Sequence, residues 1–215
     1  MAEKQKTTAK SRVVVISGSV GSGKSTVAKR LSALLDGAPL LIFDDYEKFV
    51  EWPQDMAQWI RDGADPSGIR APRLKEDLLS LQAGTPIRYP QGERIIQPAE
   101  IVLLEEPSGR ERQEIREYVD LVFFIDTPQD VCVARLVRRA MDMEIWQREG
   151  TFASQTKEAL VQQLDAVAMW LTQYQRARSM YMLVSDVVKQ HADAILDGME
   201  PVDEIAARIL KILQK

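Results

Sequence analysis

Asparagine is missing from the chain, and cysteine and histidine occur once each, as Cys132 and His191. Each scarcity excludes something. A guanine-reading loop of the Asn-Lys-x-Asp type cannot be built. A lone thiol makes neither a disulfide framework nor a thiolate metal site, and it suits a reducing compartment. No apolar run reaches the roughly 18 residues that a membrane span needs. Positive charge is in deficit, with 28 Lys and Arg against 32 Asp and Glu, a net charge of −4. That balance disfavours a nucleic-acid binder working through phosphate contacts. Residues 1–11, in the segment MAEKQKTTAKSR, lack the apolar stretch of a secretory signal. They read as a polar, solvated leader. No membrane association, no nucleic-acid partner and a cytoplasmic location are the expectations, the last by elimination. What is present is a globular composition, 45% hydrophobic and 28% charged over 215 residues. This length and composition fit one domain, 1–215, or one domain with a small lid.

Apolar runs alternate with helix-competent segments. Val13–Ser17, Pro39–Phe43, Ile101–Glu105, Leu121–Asp126 and Ala192–Leu196 read as strands buried on both faces. Between them, helices are expected at about 24–35, 53–62, 74–83, 111–118, 128–141 and 151–190. The long one is expected to break near Arg178–Tyr181, and Val202–Leu213 is an amphipathic closing helix. Residues 86–88 and 94–97 flank a turn at Gln91–Gly92 and suit a small hairpin. Alternation of this kind implies an α/β fold with a mostly parallel five-stranded sheet in three layers, α/β/α.

Residues 18–25 read GSVGSGKS, which fits G-x-x-x-x-G-K-[ST], the phosphate-binding P-loop. The spacing has a chemical reason. Gly18, Gly21 and Gly23 let main-chain amides approach a phosphate closely. The amides of Ser19, Val20 and Ser22 join them in an anion-binding nest, and the next helix points its positive end at the same place. Lys24 should reach the β- and γ-phosphates, the Ser25 hydroxyl should ligate Mg²⁺, and Thr26 should bond an α-phosphate. A Gly/Ser turn can match the pattern by chance. Here an apolar strand precedes it directly and a helix-competent segment follows, which is the context the motif requires.

With ISGSVGSGKST in place, further blocks resemble the uridine kinase-like branch of P-loop kinases, which includes pantothenate kinase and phosphoribulokinase. They are FDDY (Phe43–Tyr46), PAEIVLLEE (Pro98–Glu106), VDLVFFIDTPQDVCVARLVRR (Val119–Arg139), RSMY (Arg178–Tyr181) and KQHADAILDG (Lys189–Gly198), in the same order. The resemblance implies ATP and Mg²⁺ as cofactors and a small-molecule hydroxyl as acceptor. It implies that Asp44 is the catalytic base, with Asp45 as the alternative. Glu105 would organise the Mg²⁺ shell beside Ser25. Arg135 and Arg139 would neutralise the transferred phosphoryl group from the base of a small helical lid at 140–150, with Arg138 and Arg148 as further candidates. Two departures stand out: Glu106 replaces the family's usual Gly, and Ala140 its frequent Asp. Val188–Ala192 would border the adenine.

The acceptor is expected among residues 44–100. Asp44, Tyr46, Arg70 and Tyr89 are the leading candidates there, with Trp52, Trp59, Arg73 and Arg94 behind them. The aromatic side chains could wall a pocket and the arginines could hold an anion. The base-reading segments of uridine kinases have no counterpart in EWPQDMAQW or IRYPQGERI, so a nucleoside and an anionic metabolite both stay open. The leading reading is an ATP-dependent small-molecule kinase. The alternative is a nucleotide-dependent regulatory ATPase acting on a protein partner. The long helix after Thr151 could support a homodimer.

Overall fold

A computed structural model of the chain describes residues 10–145 and 156–214. In chain order the regular elements are β1 (Arg12–Gly18), α1 (Lys24–Leu34), β2 (Leu40–Ile42), α2 (Met56–Arg61), α3 (Pro72–Gln82), β3 (Ile87–Arg88), β4 (Ile95–Ile96), β5 (Ile101–Glu105), β6 (Leu121–Asp126), α4 (Gln129–Ile145), α5 (Lys157–Gln190), β7 (Ala194–Asp197) and α6 (Val202–Leu213). A long 3-10 turn, Phe43–Phe49, follows β2 directly.

Five strands form one sheet in the order β2-β5-β1-β6-β7, and every pairing in it is parallel. The central strand β1 explains why these runs show no polar alternation. Val13 and Val15 face one core with Leu74, Leu78 and Phe124. Val14 and Ile16 face the other with Leu31, Phe123 and Ile209. A strand covered on both faces has no solvent side to mark with polar residues. On the second face, α6 buries Ile205, Ala206, Ile209 and Leu213 against α1. That spacing is one stripe of a 3.6-residue helix. The result is the three-layer α/β/α architecture, a P-loop NTPase fold. It brings the carboxyl ends of β1, β2 and β5 to one edge, where ligands of open parallel sheets collect.

Two local expectations fail for physical reasons. Residues 111–118 do not form a helix. They fold as turns ending in a short 3-10 segment, Arg116–Tyr118, because Arg112 is buried and ties the segment to Glu106. The expected break in α5 is absent: residues 157–190 contain no Gly or Pro, and the helix runs through unbroken. The lid expected at 140–150 straddles the limit of the description. Its first residues continue α4, while 146–155, with Arg148, lie outside the described residues.

Candidate active site

The loop between β1 and α1 is shaped by its glycines and braced from outside. Gly21 has φ +81°, and a Cβ there would lie 2.6 Å from the Cys132 carbonyl oxygen of α4. Only glycine fits both constraints. Ser22 O accepts from Thr127 Oγ1 and from Arg135 Nη1, each at 2.9 Å. Ser19 Oγ lies 2.8 Å from Ser185 Oγ of α5 and accepts from Gln129 Nε2 at 2.9 Å. The first turn of α1 has no side-chain cap and no acidic residue. Its orphan N–H groups therefore face the loop, as an anion site requires.

Lys24 Nζ sits 3.1 Å from Glu105 Oε1. Glu105 ends β5 and its side chain is 1% exposed. Burial pushes its carboxyl above the ordinary range, the Lys24 ammonium opposes the shift, and the nearby Asp44 charge adds to it. Oε2 of Glu105 has no hydrogen-bond partner. Lys24 and Asp44 share the wall of a cavity of about 360 Å³, which Trp52, Trp170 and Tyr181 also line.

The two aspartates after β2 separate cleanly. Asp44 is exposed on the cavity wall. Asp45 accepts from Tyr89 Oη at 2.6 Å, and the same hydroxyl accepts from Ile42 N at 3.0 Å. Asp45 therefore anchors the turn that presents Asp44. This geometry corrects the acceptor candidates. Tyr89 is 1% exposed and belongs to the core. Tyr46 is fully buried, packs edge-on against Tyr89 and donates to Asp77 Oδ2 at 3.0 Å. Neither tyrosine lines the cavity, because each hydroxyl is used to stitch the core. Arg70 pairs with Glu51 on the surface at 3.1 Å, where both side chains are mostly exposed. Trp59 donates to Asp65 O and Arg73 pairs with Asp77. Of the aromatic acceptor candidates, Trp52 alone reaches the cavity.

The arginines of α4 also diverge. Arg135 places its guanidinium beside Gly23 and spends its donors on Ser22 O and Gly198 O. Arg139 is exposed one turn further on. Val20 lines the cavity, Ser25 is half-buried and Thr26 is exposed at the start of α1. Of the expected adenine border, Val188 is core and Lys189 pairs with Asp126 at 2.5 Å. Cys132 is buried, and His191 Nδ1 lies 2.9 Å from a Glu111 carboxylate oxygen.

Sequence reasoning missed two contributors. One is the α5 face, where Trp170, Tyr181 and Ser185 line the cavity. Their helical spacing, with Tyr174 between them, was the available signal. The other is Arg112, which carries no motif. Its side chain is 1% exposed, it donates to the fully buried Glu106, and it lines the cavity. Burial pushes the Glu106 carboxyl upward, against the pull of Arg112 and of the Ser108 N–H. Glu106 is thus the unusual residue of its block because it is half of a buried pair.

Fold and loop together define a P-loop protein with a three-layer α/β/α fold. Over nearly its full length the chain is similar to uridine kinases. It is 24% identical to the uridine kinase of Halalkalibacterium halodurans, over 94% of this chain and 95% of that protein. It is 26% identical to that of Cronobacter sakazakii, over 86% and 85%. Among solved structures, a sugar kinase from Janibacter sp. aligns over 95% of both chains at 18% identity and TM-score 0.44. No family profile matches the chain. No helix among the described residues is long and apolar enough to cross a membrane.

Proposed function

We propose that the loop Gly18–Thr26 binds ATP with Mg²⁺, and that the chain transfers the γ-phosphoryl group to a hydroxyl of a small molecule, a nucleoside or related metabolite. One observation carries this reading. The loop lysine and the exposed carboxylate of Asp44 share one cavity, large enough for a small acceptor. The names of the relatives, uridine kinases, point the same way.

The residues fit the implied cation. Glu105 offers a buried oxygen without a partner, and Ser25 offers a hydroxyl at the start of α1. Among the described residues no group of three or more His, Cys, Asp or Glu forms a protein cage. That suits Mg²⁺, which takes most of its ligands from phosphate and water. Ser25 and Glu105 would hold it, and when bound it supplies charge neutralisation on the phosphates.

The rest falls to side chains of the chain itself. Main-chain amides of the loop orient the polyphosphate, and Lys24 leaves Glu105 to offset charge on its terminal oxygens. Asp44 takes the hydroxyl proton as the acceptor oxygen bonds to phosphorus and the bond to the ADP oxygen breaks. Arg135 keeps the loop in shape. Arg139, exposed on the same helix, is the candidate for charge developing on the transferred group.

The test is ATP turnover by the full chain, without acceptor and against a panel of nucleosides, sugars and hydroxy acids, with the product identified by phosphorus NMR. An acceptor-dependent rise with a phosphorylated product is expected. Lys24→Ala should abolish Mg-ATP affinity. A wild-type chain with no such affinity, or a Lys24→Ala chain that keeps it, would overturn the reading.

A further inference from the structure

Arg112 is a buried cation with donors to spare. Its Nη2 donates to Glu106 Oε1 at 2.9 Å. Its guanidinium carbon lies 4.4 Å from the Phe43 ring centre. Nη1 is 3.8 Å from Glu114 Oε1, too far for a hydrogen bond. Nε and Nη1 have no hydrogen-bond partner. Leaving buried N–H groups unpaired is costly, and Arg112 is one of the residues that line the cavity, with Phe43 and Asp44, its side chain 1% exposed.

The charge around it limits what those donors can take. Glu106, fully buried, supplies a counter-charge for Arg112. Lys24 is matched by Glu105. Asp44 and Glu47 add two more carboxylates to the wall. A carboxylate or phosphate on the acceptor would enter a site already carrying excess negative charge. An uncharged oxygen meets no such opposition.

We propose that Arg112 determines acceptor specificity: its Nε and Nη1 donate to an uncharged oxygen of carbonyl or amide type, and Glu106 rejects anionic acceptors by holding the counter-charge. The inference rests on reading this cavity as the acceptor site. It makes Glu106 a selectivity element.

The full chain, loaded with Mg²⁺ and a non-hydrolysable ATP analogue, is titrated with two probes of one shape, propionamide and propionate. The indole N–H signals of Trp52 and Trp170 report occupancy of the cavity. Propionamide should bind the wild type roughly tenfold or more tightly than propionate. Glu106→Gln should shift that ratio at least about tenfold toward propionate. Arg112→Lys, which keeps the charge but loses the planar fork, should weaken propionamide. The wild-type ratio needs no variant, so a misfolded variant leaves the idea exposed to refutation. It is overturned if the wild type binds propionate as well as propionamide, if neither probe moves the two signals, or if a folded Glu106→Gln keeps the wild-type ratio. Failure of the wild type to bind the ATP analogue would refute the reading of the loop. Binding of the analogue without discrimination between the probes would refute this inference alone.

Discussion

Asp44→Asn and Asp45→Asn change adjacent residues by the same atom and should fail in opposite ways. Asp44 is exposed on the cavity wall, and among the described residues no side-chain hydrogen bond holds it. Its amide variant should fold normally. It also removes a charge that repels Glu105, so the melting temperature should hold or rise slightly. Loss of a positioned base costs about 10²–10⁴-fold in turnover, and Mg-ATP affinity should stay near wild type. Asp45 accepts a 2.6 Å bond from the buried Tyr89 hydroxyl. A hydrogen bond to a charged group contributes about 1.5–3 kcal/mol. The amide oxygen can still accept, so roughly half of that, about 1 kcal/mol, should be lost. For a chain of this length that is a fall of about 2–4 °C. Turnover in Asp45→Asn should drop only as far as the turn bearing Asp44 loosens. The assays are thermal unfolding and acceptor-dependent ADP release. A turnover loss confined to Asp45→Asn, with Asp44→Asn active, would refute both the base assignment and the anchoring role of Tyr89.

Three further outcomes follow from the same geometry. Tyr89→Phe removes a hydroxyl that serves both Ile42 N and Asp45. It should cost about 2–4 kcal/mol of stability by denaturant unfolding, with little change in acceptor KM; a raised KM at unchanged stability would return Tyr89 to the acceptor site. Gly21→Ala drives a Cβ into the α4 backbone at a positive φ and should cost about 1–3 kcal/mol as well as most nucleotide affinity; a titration showing normal affinity would contradict the packing of loop on α4. The third concerns pH. Burial pushes the Asp77 carboxyl upward, while Tyr46 and Arg73 pull it down. The folded chain therefore keeps this proton to higher pH than the unfolded chain. Its contribution is full below the unfolded value of about 3.9 and falls as pH rises through the folded value. Asp77→Asn should gain stability relative to wild type as pH is raised from about 4 to 7; a constant difference across that range would show no such shift.

The sheet was legible because its strands are buried on both faces. Ile101–Leu104 and Leu121–Ile125 are short unbroken apolar runs, each closed by an acid, which suits a strand covered on both faces. The loop was legible because its chemistry fixes both residue type and spacing. The cavity wall was not. Tyr46 and Tyr89 look the same in sequence whether the hydroxyl meets a ligand or a buried carboxylate, and only packing decides. Residues 111–118 misled because a charged run reads as a solvated helix. Here one of its arginines is buried against Glu106, a partner in the segment just before it. Arg135 and Arg139 were found as a pair on one helix face. Their division of labour depends on what stands opposite, at Ser22 and Gly198.

One helix touches both halves of the site. α5 holds the loop through the Ser185 and Ser19 hydroxyls and also supplies Trp170 and Tyr181 to the cavity. A ligand in the cavity would touch the same helix that braces the loop, and a ligand on the loop would touch a support of the cavity wall. Any cooperativity this creates is reciprocal by thermodynamic necessity: a compound that tightens nucleotide binding must itself be bound more tightly once nucleotide is present, by the same factor.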